Sequence, residues 1–239
     1  MSQFQSKKII YRSGSTELEG VLVFDASLTA PAAGLVMAPN WMGVTEASVS
    51  LAEKAAARGY VVLIADLYGK GVRPGSAEEA GTVMMSVKNT DEEVGRMAAA
   101  MQALTSQTDA PVTADKVAVF GFCFGGHCAL ELARSGASLK AAISFHGGLD
   151  TCGSYDAKNI KGSVLVLDGA GDPLVPREQL PAFAQEMTTA SVDWKLHSYK
   201  GAVHSFTDVQ ANVKGVAEYN ADVSARAFAA MFGLLDEVF

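Results

Sequence analysis

The chain has 239 residues, 49% of them apolar and 19% charged, enough to bury a sizeable core in one α/β domain spanning 1–239. A formal charge of −7 and a pI near 5.1 leave no basic surface for a phosphate backbone, which argues against nucleic acid as a partner. Residues Met1 to Lys8 are polar and no apolar run reaches bilayer length, so neither an export signal nor a membrane partner is expected.

Along the chain, apolar or alternating segments at Lys7–Tyr11, Leu18–Phe24, Gly34–Ala38 and Tyr60–Ala65 read as strands. The first two, separated by Ser13-Gly14-Ser15, predict an antiparallel hairpin at one edge. Tyr68–Ala80, rich in glycine, reads as a loop. Further strands are expected at Val117–Phe120, Ala141–Phe145, Val164–Leu167 and Val192–Ser198. Helical patterns at Ser48–Arg58, Thr90–Leu104, Gly125–Arg134, Arg177–Met187 and Val216–Leu235 separate the later strands or follow them, with Gly59 and Gly136 as stops. Strands alternating with helices predict a mostly parallel eight-stranded sheet with helices on both faces, and such sheets bind ligands at strand C-termini.

Cysteine is where the pattern turns chemical. Gly121-Phe122-Cys123-Phe124-Gly125-Gly126 follows a strand and opens a helix, which places Cys123 on a sharp turn between them. A residue with φ > 0 there needs neighbours without side chains, and Gly121 and Gly125 supply them, so the pattern is a nucleophile elbow with sulfur as nucleophile. The plainer alternative is a buried cysteine acting as a small hydrophobe. Three cysteines, odd in number and without metal spacing, read as free thiols of a reducing cytoplasm, and neither metal nor cofactor is expected.

A thiol nucleophile needs a base, and the base needs an acid to orient it. Asp172 follows the strand Val164–Asp168, and His204 follows the strand Val192–Ser198, which gives the order nucleophile, acid, histidine found in α/β-hydrolases. Asp168 could serve as the acid instead, Asp172 could be a helix cap, and His204 a solvated loop residue. His127 and His197 read as packing or surface residues, whereas His146, before Gly147-Gly148, opens toward the same sheet end. The N–H after the nucleophile, Phe124, and one from the loop after the third strand, Trp41, are the expected oxyanion donors. The helix starting near Phe124 also aims its positive end at the sulfur.

The elbow, Gly171-Asp172, His204-Ser205-Phe206 and Asp66-Leu67-Tyr68 together resemble the dienelactone hydrolase family over essentially the whole chain. The resemblance implies an α/β-hydrolase fold and a Cys123–Asp172–His204 triad. The spacing of these three residues is also similar to that of a dienelactone-hydrolase-like promiscuous phosphotriesterase. Two departures stand out. Asn40 occupies the position of a glutamate that, in archetypal members, takes the thiol's proton when substrate binds; this implies direct activation of Cys123 by His204. Asp208 stands where an arginine would hold a substrate carboxylate, which implies a neutral substrate.

The reading is therefore a hydrolase of neutral esters or lactones, acting on a small molecule through an acyl-cysteine, with Asn40, Tyr68, His146 and Phe206 lining the pocket. The alternative is phosphotriester hydrolysis by the same parts. A ligand-binding or redox-sensing protein using Cys123 as a switch is a further reading. The expected assembly is a monomer or homodimer.

Overall fold

The alternating segments at the start of the chain pair as predicted. In the computed structural model, which describes residues 3–239, β1 (Phe4–Ser13) and β2 (Thr16–Asp25) run antiparallel, with Phe4 opposite Asp25 and Ser13 opposite Thr16. That register leaves Gly14-Ser15 as a two-residue turn, and Gly14 takes the positive φ of 54° that such turns require. Eight strands form one sheet in the order β1-β2-β4-β3-β5-β6-β7-β8, and two further strands pair separately. The chain divides into two compact units, one through Val119 and one from Phe120.

In the first unit, β3 (Ala32–Ala38) and β4 (Val61–Ile64) are parallel, whereas β2 meets β4 antiparallel. Both parallel strands are apolar runs buried on two faces, so they do not alternate. Helix α1 (Glu46–Ala56) begins at a capping box in which Thr45 and Ser48 each accept from the other's backbone N–H. Helices α2 (Ala77–Val87) and α3 (Asp91–Ser106) precede β5 (Val112–Phe122). The expected loop Tyr68–Ala80 thus ends at Ser76, whose hydroxyl accepts from Glu79 N–H and caps α2.

The second unit contains α4 (Phe124–Arg134), β6 (Ala141–Phe145), β7 (Ser163–Gly169), α5 (Gln179–Thr189), β8 (Trp194–Tyr199), β9 (Asn212–Val213), β10 (Ala217–Glu218) and α6 (Ala221–Val238). Strands β6, β7 and β8 are parallel. Every residue of α4 is buried, including Arg134, whose guanidinium is held by Glu131 at 2.7 Å and Glu186 at 2.7 Å. A buried cation needs such partners, since an unpaired one would cost several kcal/mol, on the order of 3–5. Phe122 stacks on Phe145 with centroids 4.8 Å apart, and Phe228 packs at a tilt on Phe145 at 5.0 Å.

One expected helix needs correction. The pattern predicts a single helix over Val216–Leu235, but 212–218 forms the antiparallel β9–β10 hairpin and α6 starts only at Ala221, capped by the Asn220 side chain. Likewise the helix expected from Arg177 begins at Gln179, because the Arg177 side chain is drawn back to Val175 O and Asp168. Among the described residues no helix is long and apolar enough to cross a membrane.

Candidate active site

Strand β5 ends at Phe122, α4 begins at Phe124, and Cys123 between them sits at φ 54°, ψ −120°. The glycine requirement is steric: a Cβ on Gly121 would lie 2.1 Å from Gly125 O, and one on Gly126 would lie 2.5 Å from Ser144 Oγ. Cys123 N–H donates to Phe145 O at 3.0 Å, which anchors the elbow to the end of β6. The half-buried sulfur stands at the N-terminus of α4, where the helix dipole favours an anion.

The two candidate acids separate cleanly. Asp168 accepts from Arg177 Nη1 at 3.0 and 3.1 Å and from Ser198 Oγ at 2.7 Å, so its carboxylate is fully engaged. Asp172 lies in the next turn, its side chain 0% exposed, with Oδ2 2.7 Å from His204 Nδ1 and Oδ1 accepting Leu174 N–H at 2.8 Å. Asp172, not Asp168, orients the imidazole.

His204 is fixed by its backbone as well. Its N–H donates to Val216 O and its C=O accepts Glu218 N–H, both at 3.1 Å, so the β9–β10 hairpin seats it as a bridge partner of Ala217. Burial alone would lower its pKa, but the bond to Asp172 and the neighbouring Cys123 sulfur outweigh this and raise it to about 10. The sulfur acts on the imidazole, yet Nε2, buried, meets no partner at full hydrogen-bond geometry. The two are neighbours in loose contact, as such pairs commonly are before substrate tightens them.

His146 is 3% exposed, with Nε2 2.9 Å from Thr207 Oγ1 and its ring centroid 5.0 Å from that of His204. Its pKa lies well below 6.5, through burial first and the His204 charge second. Phe206 is fully buried and packs edge-on against His146 at 5.0 Å, which makes it a support for that ring. Asp208 Oδ1 accepts Gln210 N–H at 2.9 Å. His127 is buried with Nδ1 3.4 Å from Asp150, and His197 is exposed on β8.

The other expected site residues lie in the first unit and tie to one another. Asn40 Oδ1 accepts Met42 N–H at 3.0 Å, and its C=O accepts Gly43 N–H at 2.9 Å, so the asparagine shapes a turn. Buried Tyr68 donates its hydroxyl to Trp41 O at 2.7 Å, while Asp66 accepts the N–H groups of Tyr68 and Gly69. Among the described residues no three His, Cys, Asp or Glu side chains gather as a metal site would. The residues missed in sequence are Thr207, Arg177, Ser198 and the hairpin strands. Only Arg177 carried a signal, as a cation in the loop after the acid strand.

An eight-stranded, mostly parallel sheet with helices and a strand–turn–helix elbow defines an α/β-hydrolase. The family model described as "Dienelactone hydrolase family" matches residues 18–239, and the chain belongs to that family of hydrolases. It is similar to the solved structure of m3DLH, with 38% identity, a TM-score of 0.93 and complete coverage of both chains. It is also similar to P91, a dienelactone hydrolase-like promiscuous phosphotriesterase from metagenomic libraries, with 36% identity, a TM-score of 0.91 and complete coverage of both. A curated relative, the uncharacterized protein K02A2.1 of Caenorhabditis elegans, is 34% identical over 150 residues, 60% of this chain and 92% of that one.

Proposed function

We propose that the protein hydrolyses neutral esters or lactones through an acyl-cysteine formed on Cys123. The observation that carries the reading is the Asp172–His204 bond of 2.7 Å on an imidazole that also feels the Cys123 sulfur at a strained elbow. In the first step the thiolate of Cys123 attacks the carbonyl carbon. The developing oxyanion is held by Phe124 N–H at the start of α4, and the imidazolium of His204 gives its proton to the departing alkoxide.

Acylation then changes the base. The thiolate charge that helped raise the pKa of His204 is consumed in the thioester, so the imidazole becomes a better proton acceptor for water. Water loses its proton to His204, adds to the thioester, and releases the acid with the thiolate restored. Asp172 holds the ring in one tautomer throughout.

Asn40, already engaged with Met42 N–H, takes no part in thiol deprotonation in this scheme, so Cys123 and His204 form a standing pair. A pH profile of iodoacetamide alkylation tests this: the reactive form should persist well below the ordinary thiol range, and a rate rising only near the pKa of free cysteine would contradict it. The carboxylate of Asp208 supports a neutral substrate. A panel of p-nitrophenyl esters, lactones and 4-carboxymethylenebut-2-en-4-olide on wild type and Cys123→Ala tests the whole scheme. Preference for the anionic lactone in kcat/KM would overturn the neutral-substrate reading, and unchanged turnover in Cys123→Ala would overturn the nucleophile.

A second reading, phosphotriester hydrolysis, is favoured by the likeness to P91. The same thiolate would attack phosphorus and expel an aryloxide, leaving an S-phosphoryl cysteine for His204-activated water to cleave. Brief exposure to paraoxon followed by intact-protein mass spectrometry decides it: a transient adduct means turnover, a permanent one inhibition. The three cysteines, all thiols, favour a cytoplasmic setting.

A further inference from the structure

His146 is buried, strained and titratable, and the reaction scheme gives it no task. It follows β6 in the left-handed region at φ 41°, which for a non-glycine residue costs on the order of 1–3 kcal/mol and persists only where the surroundings enforce it. The enforcement is visible. His146 N–H donates to Leu167 O at 2.8 Å at the end of β7, and the next residue, Gly147, is so tightly seated that a Cβ would lie 2.5 Å from Ser144 Oγ.

Two neighbouring residues thereby hold two parts of the site. Phe145 O accepts Cys123 N–H at 3.0 Å and fixes the nucleophile. His146 Nε2 reaches Thr207 Oγ1 at 2.9 Å, three residues beyond His204, and both partners are buried, at 3% and 2% exposure. The His146 ring, clamped edge-on by Phe206 at 5.0 Å and 81°, presents itself to His204 at 5.0 Å and 65°. A phenylalanine could supply the ring contact but not the bond to Thr207, and it would leave a buried hydroxyl unpaired.

We propose that His146 is a positioning residue: through Thr207 it ties the His204 loop to the end of β6, and so sets the catalytic imidazole relative to the Cys123 elbow. The Phe145–His146 pair is the common anchor, holding the sulfur by a backbone bond and the base by a side-chain bond. His204 is the charged neighbour that bears on His146, and burial keeps His146 neutral beside it. The inference rests on the Cys123–His204 pairing of the proposed function, not on the identity of the substrate.

The test uses two readouts on the full chain: steady-state hydrolysis of p-nitrophenyl acetate, and the pH profile of Cys123 alkylation, which needs no hydrolysis. Thr207→Val and His146→Phe should each lower kcat about tenfold, the scale of one lost buried hydrogen bond, with KM changed less than about threefold. Both should move the alkylation profile toward that of an unassisted thiol, and Thr207→Ser, which keeps the hydroxyl, should restore both. The double variant should be no slower than the worse single one, because the two residues make one bond. Wild-type kinetics and alkylation in folded Thr207→Val, or equal losses in Thr207→Ser and Thr207→Val, would overturn the proposal. If His146→Phe does not fold, the two Thr207 variants decide alone. An enzyme inert toward esters whose alkylation profile still responds to Thr207→Val would sink the hydrolytic reading and leave the positioning role standing.

Discussion

The loop Asn40–Gly43 in the first unit and the turns around Cys123, His146 and Ser205 in the second unit are both candidate pieces of machinery, yet they are built differently. The first is relaxed: Asn40 closes its own turn on Met42 and Gly43, and the position that needs positive φ, 74°, is a glycine. The second holds three non-glycine residues at positive φ, with Cys123 at 54°, His146 at 41° and Ser205 at 55°. Strain of that kind is kept only where neighbours over-determine it. The second unit thus holds its candidate site residues in enforced conformations, while the first supplies a self-contained turn.

The sharpest way to break this contrast is by substituting glycine. Gly121→Ala sets a methyl group 2.1 Å from Gly125 O and should prevent folding, seen as loss of soluble protein. Gly14→Ala in the β1–β2 turn meets nothing within 4 Å and pays only for its φ of 54°, about 1 kcal/mol in urea unfolding. Comparable losses at the two positions would contradict the steric account of the elbow.

Next in size is the pair of acids. Asp172→Asn should lower kcat by about 10²–10⁴-fold, since the amide can favour the wrong tautomer of His204, and should also lower stability at neutral pH by removing the bond that raises the His204 pKa. Asp168→Asn should lower stability by about 2–3 kcal/mol, because Arg177 and Ser198 lose their carboxylate partner, but change kcat only a few-fold, so kcat is what separates the two acids. Measured kcat and urea midpoints for both variants check the assignment.

Legibility in sequence follows the same division. The elbow is readable because its constraint is local: Gly121 and Gly125, four apart around a cysteine between strand and helix, encode their own turn. The choice between Asp168 and Asp172 is not, because it depends on Arg177 and Ser198, the latter 30 residues from the acid it bonds. The β9–β10 hairpin leaves no pattern in the sequence, since each of its strands has two residues, with those of β9 exposed, and it closes onto His204. Helix α2 starts inside the Tyr68–Ala80 stretch that reads as loop, and Gly81, Thr82 and Val83, which follow, weaken the helical pattern. Phe206 read as a pocket wall from its place beside His204, but it lies fully buried behind His146.

Smaller still is the pH dependence of stability. The pKa of His204 is raised from 6.5 to about 10 in the fold, so its contribution is whole below pH 6.5 and is lost as pH rises toward 10. The pKa of His146 is depressed, so the unfolded chain takes up a proton first as pH falls below 6.5, and stability falls there too. Thermal melts should therefore peak near pH 6.5, and Asp172→Asn should flatten the alkaline side. An alkaline limb unchanged by that substitution would contradict the coupling. The smallest effect expected is that of Asn40→Ala, which removes one turn bond worth about 1 kcal/mol and should leave the alkylation profile of Cys123 unmoved.

The central claim, covalent turnover on Cys123 driven by His204, is tested most directly by rapid mixing with p-nitrophenyl acetate and intact-mass readout. One acetyl group should form on Cys123 and clear in wild type, form more slowly and then persist in His204→Gln, and never form in Cys123→Ala. Hydrolysis that proceeds at the wild-type rate in Cys123→Ala, with no acetyl group captured in any variant, would contradict it.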